Sequence, residues 1–181
     1  MVRPGKRGRI YLSPNEEHIL SAMVEKPEDV PMGVMPENPR WFSPPAFGME
    51  RYEDLFTNRQ LVALTTFSQL VTEAQIKIEA DAIAAGMKND HLPLCSGGDG
   101  AKAYGEALGV YLSFIVDREA NYSSSLNGWS GDFIIQTFGR QALPMVWDYA
   151  ESNPFSNSTG NWSGAINWIV KSLEKFPAAR K

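Results

Sequence analysis

Cysteine and histidine are scarce in this sequence: Cys95 stands alone, and His18 and His91 are the two imidazoles in 181 residues. A single thiol excludes an internal disulfide and points to a reducing compartment. With neither CxxC nor HxxxH spacing, a zinc site would have to recruit carboxylates, and none is expected. No apolar run approaches the ~18 residues that read as a membrane span. The basic start, MVRPGKRGR, leads into no apolar segment of the kind that follows in a signal peptide. Positive charge is not in excess either, since the formal net charge is −4 and the isoelectric point about 5.2. Domains that coat nucleic acid broadly carry a basic face, so that class is disfavoured while a local basic patch is not. The expected setting is cytoplasmic, without membrane contact, and the sequons at Asn121, Asn157 and Asn161 are read as chance.

What is present suffices for a core. The hydrophobic fraction of 43% and aromatic fraction of 11% belong to globular rather than disordered chains, and the length suits one domain. The expected organisation is a disordered tail over residues 1–10 and a single helical domain over residues 11–181. Within that boundary, Arg9 to Leu12 is also compatible with a short strand. Ser13-Pro14-Asn15-Glu16 resembles a helix start, with Ser13 as N-cap, Pro14 in the first position and Glu16 reaching back. Ile19, Leu20 and Met23 give that helix a short apolar face. Lys26 to Phe47 is proline-rich and without periodicity, so it is expected to be extended and pinned by Trp41, Phe42 and Phe47. It reads first as an arm wrapped over a helical core, and second as a segment that docks a partner.

Thr57-Asn58-Arg59-Gln60 is a capping box, and Leu55 or Phe56 in front can pack on Leu61. Leu61, Leu64, Phe67, Leu70, Val71, Ala74 and Ile78 then recur at three- and four-residue steps until Gly86. The spacing predicts a helix of about 28 residues, roughly 42 Å long at 1.5 Å per residue. Ser96-Gly97-Gly98-Asp99-Gly100 matches neither GxxxxGK[ST] nor a strand-led GxGxxG, so a connector is expected rather than a phosphate loop. A second long helix should run from Ala101 to about Ser123. In it Tyr104, Ala107, Leu108, Tyr111, Leu112, Ile115 and Val116 bury most of the circumference, and Asp117, Arg118 and Glu119 re-emerge into solvent. The fold class is therefore mainly α, built on two long antiparallel helices. Asp132 is read as capping a short helix through Phe133, Ile134 and Ile135, and Gln141 to Glu151 as one or two helical turns. A last helix, about Ser163 to Phe176, carries Lys171 and Lys175 at its C-terminal end. The chain then closes in Ala-Ala-Arg-Lys with no further element, which suggests truncation.

No catalytic residue emerges from the pattern. Neither Gly128-Trp129-Ser130-Gly131 nor Gly160-Asn161-Trp162-Ser163-Gly164 has the GxSxG elbow of a serine hydrolase. Cys95 with His91 and Asp148 with Glu151 are read as incidental. Asn153-Pro154-Phe155 approaches the four-residue [DNS]PP[YF] motif that grips a flipped base in amino-methyltransferases, but the second proline is missing. A turn with Phe155 plugging the core is the expectation.

Several stretches, in order, resemble a known family. They are Tyr52-Glu53-Asp54-Leu55-Phe56-Thr57-Asn58-Arg59-Gln60-Leu61, Tyr111-Leu112 with Asp117-Arg118, and Tyr122-Ser123-Ser124-Ser125-Leu126 leading to Trp129. Phe138-Gly139-Arg140-Gln141-Ala142-Leu143-Pro144-Met145-Val146-Trp147-Asp148 and Asn153-Pro154-Phe155 follow. From about residue 10 onward the chain resembles an internal region of large prokaryotic adenine-specific DNA methylases containing a zinc ribbon, some found beside phage-defence genes. The resemblance implies a parent enzyme that uses S-adenosylmethionine to methylate the N6 amine of adenine, with DNA and the remaining methylase domains as partners. The S-adenosylmethionine loop, the zinc-ribbon cysteines and the acidic-Pro-Pro-Tyr motif of that family have no counterpart here. The segment itself is thus expected to be non-catalytic, with no cofactor-binding or metal-binding residue. Arg140, Arg59 and Trp129 are its candidate contacts with DNA or a partner. Trp147 and Phe155 are expected in the core.

Overall fold

A short hairpin and four helices order the described residues. They are β1 (Val2–Gly5), β2 (Gly8–Tyr11), α1 (Glu16–Ala22), α2 (Asn58–Ala84), α3 (Ala101–Ala120) and α4 (Trp162–Leu173). The structure, a computed structural model, describes residues 2–5 and 8–177, with side chains from Ile10 onward. The open end expected at Ala178 to Lys181 lies outside the described residues. The segment expected as a disordered tail carries the antiparallel pair β1–β2, in which Val2 faces Tyr11 and Arg3 faces Ile10. The alternative, a short strand from Arg9 to Leu12, matches β2 in place.

Helix α1 starts two residues later than Ser13 implied. Asn15 is its N-cap: the Asn15 side chain accepts from His18 N at 2.9 Å, and His18 Nδ1 accepts from Asn15 N at 3.2 Å. The imidazole thus fills the place given to Glu16, because the reaching residue must stand three past the cap. No residue of α1 is buried, so Ile19 and Met23 remain exposed.

The capping box before α2 forms as spaced. Gln60 N donates to Thr57 Oγ1 at 3.3 Å, and Thr57 N donates to Gln60 Oε1 at 2.8 Å. Gly86, at φ 91°, supplies the left-handed residue that stops the helix. The 27 residues of α2 pack against α3, and α3 packs against α4. The α2–α3 contact is made through small residues. A Cβ on Gly105 would lie 3.1 Å from the Gln75 carbonyl oxygen and 3.4 Å from Glu79 Cβ, and one on Gly109 would lie 2.8 Å from Gln75 Oε1. Advancing along α3 thus retreats along α2, and the pair is antiparallel.

This contact corrects the expected burial of α3. Its buried residues are Ala101, Ala103, Gly105, Gly109, Ile115 and Glu119, while Tyr104 is 45% exposed and Tyr111 and Leu112 are half-buried. Glycine lets the backbones approach so closely that large side chains stand beside the contact rather than in it. The helices also leave apolar groups open, among them Leu70 and Ile76 on α2 and Val110 and Phe114 on α3. No helix among the described residues is long and apolar enough to cross a membrane.

The second structural unit is irregular and is built from distant segments. Met35, Leu55, Leu126 and Leu143 form its buried apolar centre, with Phe42, Met49, Phe56, Met145 and Val146 packed around them. The proline-rich arm is wrapped and zipped in place. Val34 bridges Arg51, Phe42 bridges Leu143, Leu143 N donates to Trp41 O at 2.7 Å, and Met145 N donates to Ser43 Oγ at 2.7 Å. Of the expected pins Phe42 packs on the centre, whereas Trp41 and Phe47 are about half exposed and Met35 and Pro44 are buried instead.

Two expected helical stretches are absent. The residues after Asp132 make a tight reversal, with Trp129 bridging Ile134 and Gly131 at φ 72°. Gln141 to Glu151 runs extended because Leu143 and Met145 pair with the arm. Trp147 is 74% exposed and meets Phe47 edge-on at 4.9 Å. Asn153-Pro154-Phe155 is a turn as expected, with Phe155 N donating to Asn153 Oδ1 at 2.9 Å, but Phe155 is 83% exposed and does not plug the core. Trp162 takes the packing position instead, stacked on Phe67 at 4.1 Å.

Candidate functional site

The serines and asparagines that set Tyr122 to Trp129 apart turn inward. Ser124 and Asn127 are fully buried, and Ser123, Ser125 and Thr137 nearly so. Asn127 Oδ1 accepts from Ser124 N at 2.6 Å, while its Nδ2 donates to Asn121 O at 3.0 Å and Ile135 O at 2.9 Å. Ser124 Oγ and Thr137 Oγ1 share a hydrogen bond at 2.6 Å. Ser125 donates twice to Leu55 O, from its N at 2.7 Å and its Oγ at 2.9 Å. Ala150 N donates to Asn127 O at 2.9 Å. Irregular backbone can be buried only if its polar groups are met, and these short side chains meet them.

Beside this lattice lies a cavity of about 390 Å³, with Leu126, Ile135, Leu143, Pro144 and Val146 as its apolar walls and Arg140 among its lining residues. Arg140 is exposed and has no ion-pair or hydrogen-bond partner among the described residues. Trp129 approaches the cavity only through its neighbour Gly128, which lines it, and is 38% exposed. Arg59 is engaged elsewhere: its guanidinium pairs with Glu151 and ties the start of α2 to the segment after Asn127. Burial pushes the nearby Tyr149 hydroxyl up, Glu151 adds to the rise and Arg59 opposes it. Of the three expected contact residues, only Arg140 stands at the cavity with an unpaired charge.

A second cavity, about 220 Å³, lies between the end of α3 and the start of α4. Arg118, Glu119 and Tyr122 form one wall, with Thr159, Asn161, Gly164 and Trp168 opposite. Asn161 caps α4, its Oδ1 accepting from Gly164 N at 2.7 Å. The Arg118 guanidinium lies over the Trp168 ring at 4.5 Å and near Tyr122 at 5.6 Å. Glu119 was expected to emerge into solvent and instead is 1% exposed. Burial pushes its carboxyl up to about 7 against the lowering effect of the Ser123 hydroxyl. That hydroxyl also bonds Ser152 Oγ at 2.9 Å. The signal was available, because Leu112, Ile115 and Glu119 stand at three- and four-residue steps on one helical face.

The glycine-rich connector behaves as one. A Cβ on Gly98 would lie 2.2 Å from Leu92 O, and one on Gly100 would lie 2.5 Å from Lys88 O, so these glycines serve chain packing. Among the described residues no group of three or more His, Cys, Asp or Glu side chains is placed to hold a metal ion. No protein-family model, curated protein or solved structure matches this chain.

Proposed function

We propose that the chain is a non-catalytic helical domain of a cytoplasmic, S-adenosylmethionine-dependent adenine-specific DNA methyltransferase, where it supports the catalytic domain and offers Arg140 to DNA. One observation carries the reading. Two of the stretches that resemble the methylase family, residues 52–61 and 122–129, are far apart in sequence yet joined by the bonds of Ser125 to Leu55 O, and the second is locked by hydrogen bonds to its neighbours Asn121, Thr137 and Ala150. Their polar groups are consumed in holding backbone, which suits a scaffold better than a reaction centre. Arg140, unpaired among the lining residues of a cavity, is the side chain whose charge the scaffold leaves available. An interaction module that docks through the proline-rich arm is less well supported, since residues 34–47 are engaged with Arg51 and with residues 143–145.

Gel-shift titration of the chain with duplex and single-stranded DNA tests the DNA contact. Salt-sensitive binding that weakens in Arg140→Ala and is unchanged in a distant Lys102→Ala is the expected result. No salt-sensitive affinity for either form removes DNA positioning from the proposal. Parentage is tested on the coding DNA beyond the Lys181 codon: a frame continuing into an Asp-Pro-Pro-Tyr motif is expected, and a stop codon there sinks a single-chain methylase.

A further inference from the structure

The cavity of about 390 Å³ beside the buried lattice is held open by separate parts of the chain. On one wall, Ile135 N donates to Gly128 O at 2.8 Å, and Ile135 O accepts from Asn127 Nδ2 at 2.9 Å. On another, Leu143 N donates to Trp41 O and Met145 N to Ser43 Oγ, each at 2.7 Å. Neither wall can settle into the space without breaking these bonds. Protein interiors are otherwise close-packed, so open apolar space beside the buried Leu126 and Leu143 is the exception. A preformed, mainly apolar cavity of this size is the usual form of a small-molecule site.

The polar side chains that line it have positive charge and a donor to offer. Thr137 is spent on Ser124 Oγ at 2.6 Å, and no carboxylate is among the lining residues. Arg140 is exposed and has no ion-pair partner among the described residues, so its charge is uncompensated. Gln136 Oε1 accepts from Asn121 Nδ2 at 3.3 Å. Phe138 N donates to Asn121 Oδ1 at 2.8 Å, which fixes that amide and leaves Gln136 to meet it with oxygen. The Gln136 Nε2 is then a donor without an acceptor among the described residues. It lies against Gly139, where a Cβ would come within 2.8 Å of it. The missing side chain thus lets an amide donor pack on the residue that precedes Arg140.

We propose that this cavity binds a small organic acid, its apolar body against Leu126, Ile135, Leu143 and Val146 and its carboxylate on Arg140 and the Gln136 amide. The planar guanidinium fork matches the two oxygens of a carboxylate, and the uncharged donor beside it adds a further bond. A cationic ligand would meet uncompensated positive charge, and a neutral one would leave that charge unanswered. The assignment does not depend on the methylase reading, because its test involves no DNA.

Octanoate, 1-octanol and octylamine are the probes, alike in their apolar body and different in the charge at its end. Titrated at neutral pH into the isotopically labelled full chain, octanoate should shift the methyl resonances of Ile135, Leu143 and Val146 in a saturable way. 1-Octanol should shift the same resonances with about tenfold weaker affinity, and octylamine should bind no better than 1-octanol. Arg140→Gln replaces an exposed side chain, and should bring octanoate down to the level of 1-octanol while leaving 1-octanol unchanged. Ile135→Glu, with an unchanged circular dichroism spectrum, sets a carboxylate among the lining residues and should lose octanoate about tenfold or more. Absence of saturable shifts at these methyl groups overturns the proposal, as do shifts that fall instead on the open helical face at Ile76 and Val110. Equal affinity for octanoate and 1-octanol overturns it as well, and so does an Arg140→Gln variant that binds octanoate as before.

Discussion

The paired helices and the irregular unit beside them solve the burial problem in opposite ways. α2 and α3 satisfy their backbones internally, and their contact is made where Gly105 and Gly109 of α3 come against Gln75 and Glu79 of α2. Large apolar side chains are left outside it, with Ile76 67% exposed and Phe114 48%. The irregular unit has no ladder to satisfy its backbone, so it buries Ser124, Asn127 and Thr137 to do so. The helical pair is locally determined and tolerant at its outer face. The irregular unit depends on contacts such as Ser125 to Leu55 and Met145 to Ser43, which close long loops and fail together.

Asn127→Ala should expose this difference most sharply. It removes three hydrogen bonds from a fully buried side chain. Asn121 O keeps a donor in Thr137 N, but Ser124 N and Ile135 O lose the partners described above. Two unmet buried groups, with the cavity, should cost about 3 kcal/mol or more. Urea denaturation of the full chain measures it, and a loss below about 1 kcal/mol would show that the lattice does not hold the unit together.

How much of this was legible in the sequence follows the same division. The start and stop of α2 are readable because capping is local: Thr57 and Gln60 act three residues apart at one end, and Gly86 acts on the last turn at the other. The antiparallel pairing followed from length and loop. Which face of α3 is buried is not readable from hydrophobicity, because the contact is set by the smallest residues and not by the largest. Trp147 and Phe155 were misplaced for a related reason. Bulk was equated with burial, whereas both are mostly exposed and Trp162 makes the stacked contact. The run of serine and asparagine after Asn121 reads as a polar exit from α3; that it turns inward is decided by tertiary partners, Leu55 and Thr137 among them. Of the candidate contact residues, Arg140 kept an unpaired charge, while Arg59 met an acid 92 positions away that no local pattern indicates.

Gly105→Val tests the small-residue contact directly. The new Cβ would lie 3.1 Å from a backbone oxygen of α2, which cannot turn aside as a side chain can, and the branched methyl groups need still more room. Overpacking of this kind should cost about 2 kcal/mol, partly offset by the better helix propensity of valine over glycine. The loss should appear as a lower midpoint of thermal unfolding. An unchanged midpoint would mean that α2 and α3 can separate without penalty and that the pair is not a cooperative unit.

The outer face of the pair should respond least. Ile76 is 67% exposed on α2, so Ile76→Gln exchanges one solvated side chain for another and should change stability by no more than about 0.5 kcal/mol. The measurement is again urea denaturation, at two protein concentrations tenfold apart. A small and concentration-independent change would place Ile76 outside the cooperative core, leaving it available to a neighbouring domain. A loss above about 1 kcal/mol that grows with concentration would instead mean that copies of the chain cover this face for one another. In that event the openness of the helical pair would be a property of the single chain and not of the protein in solution.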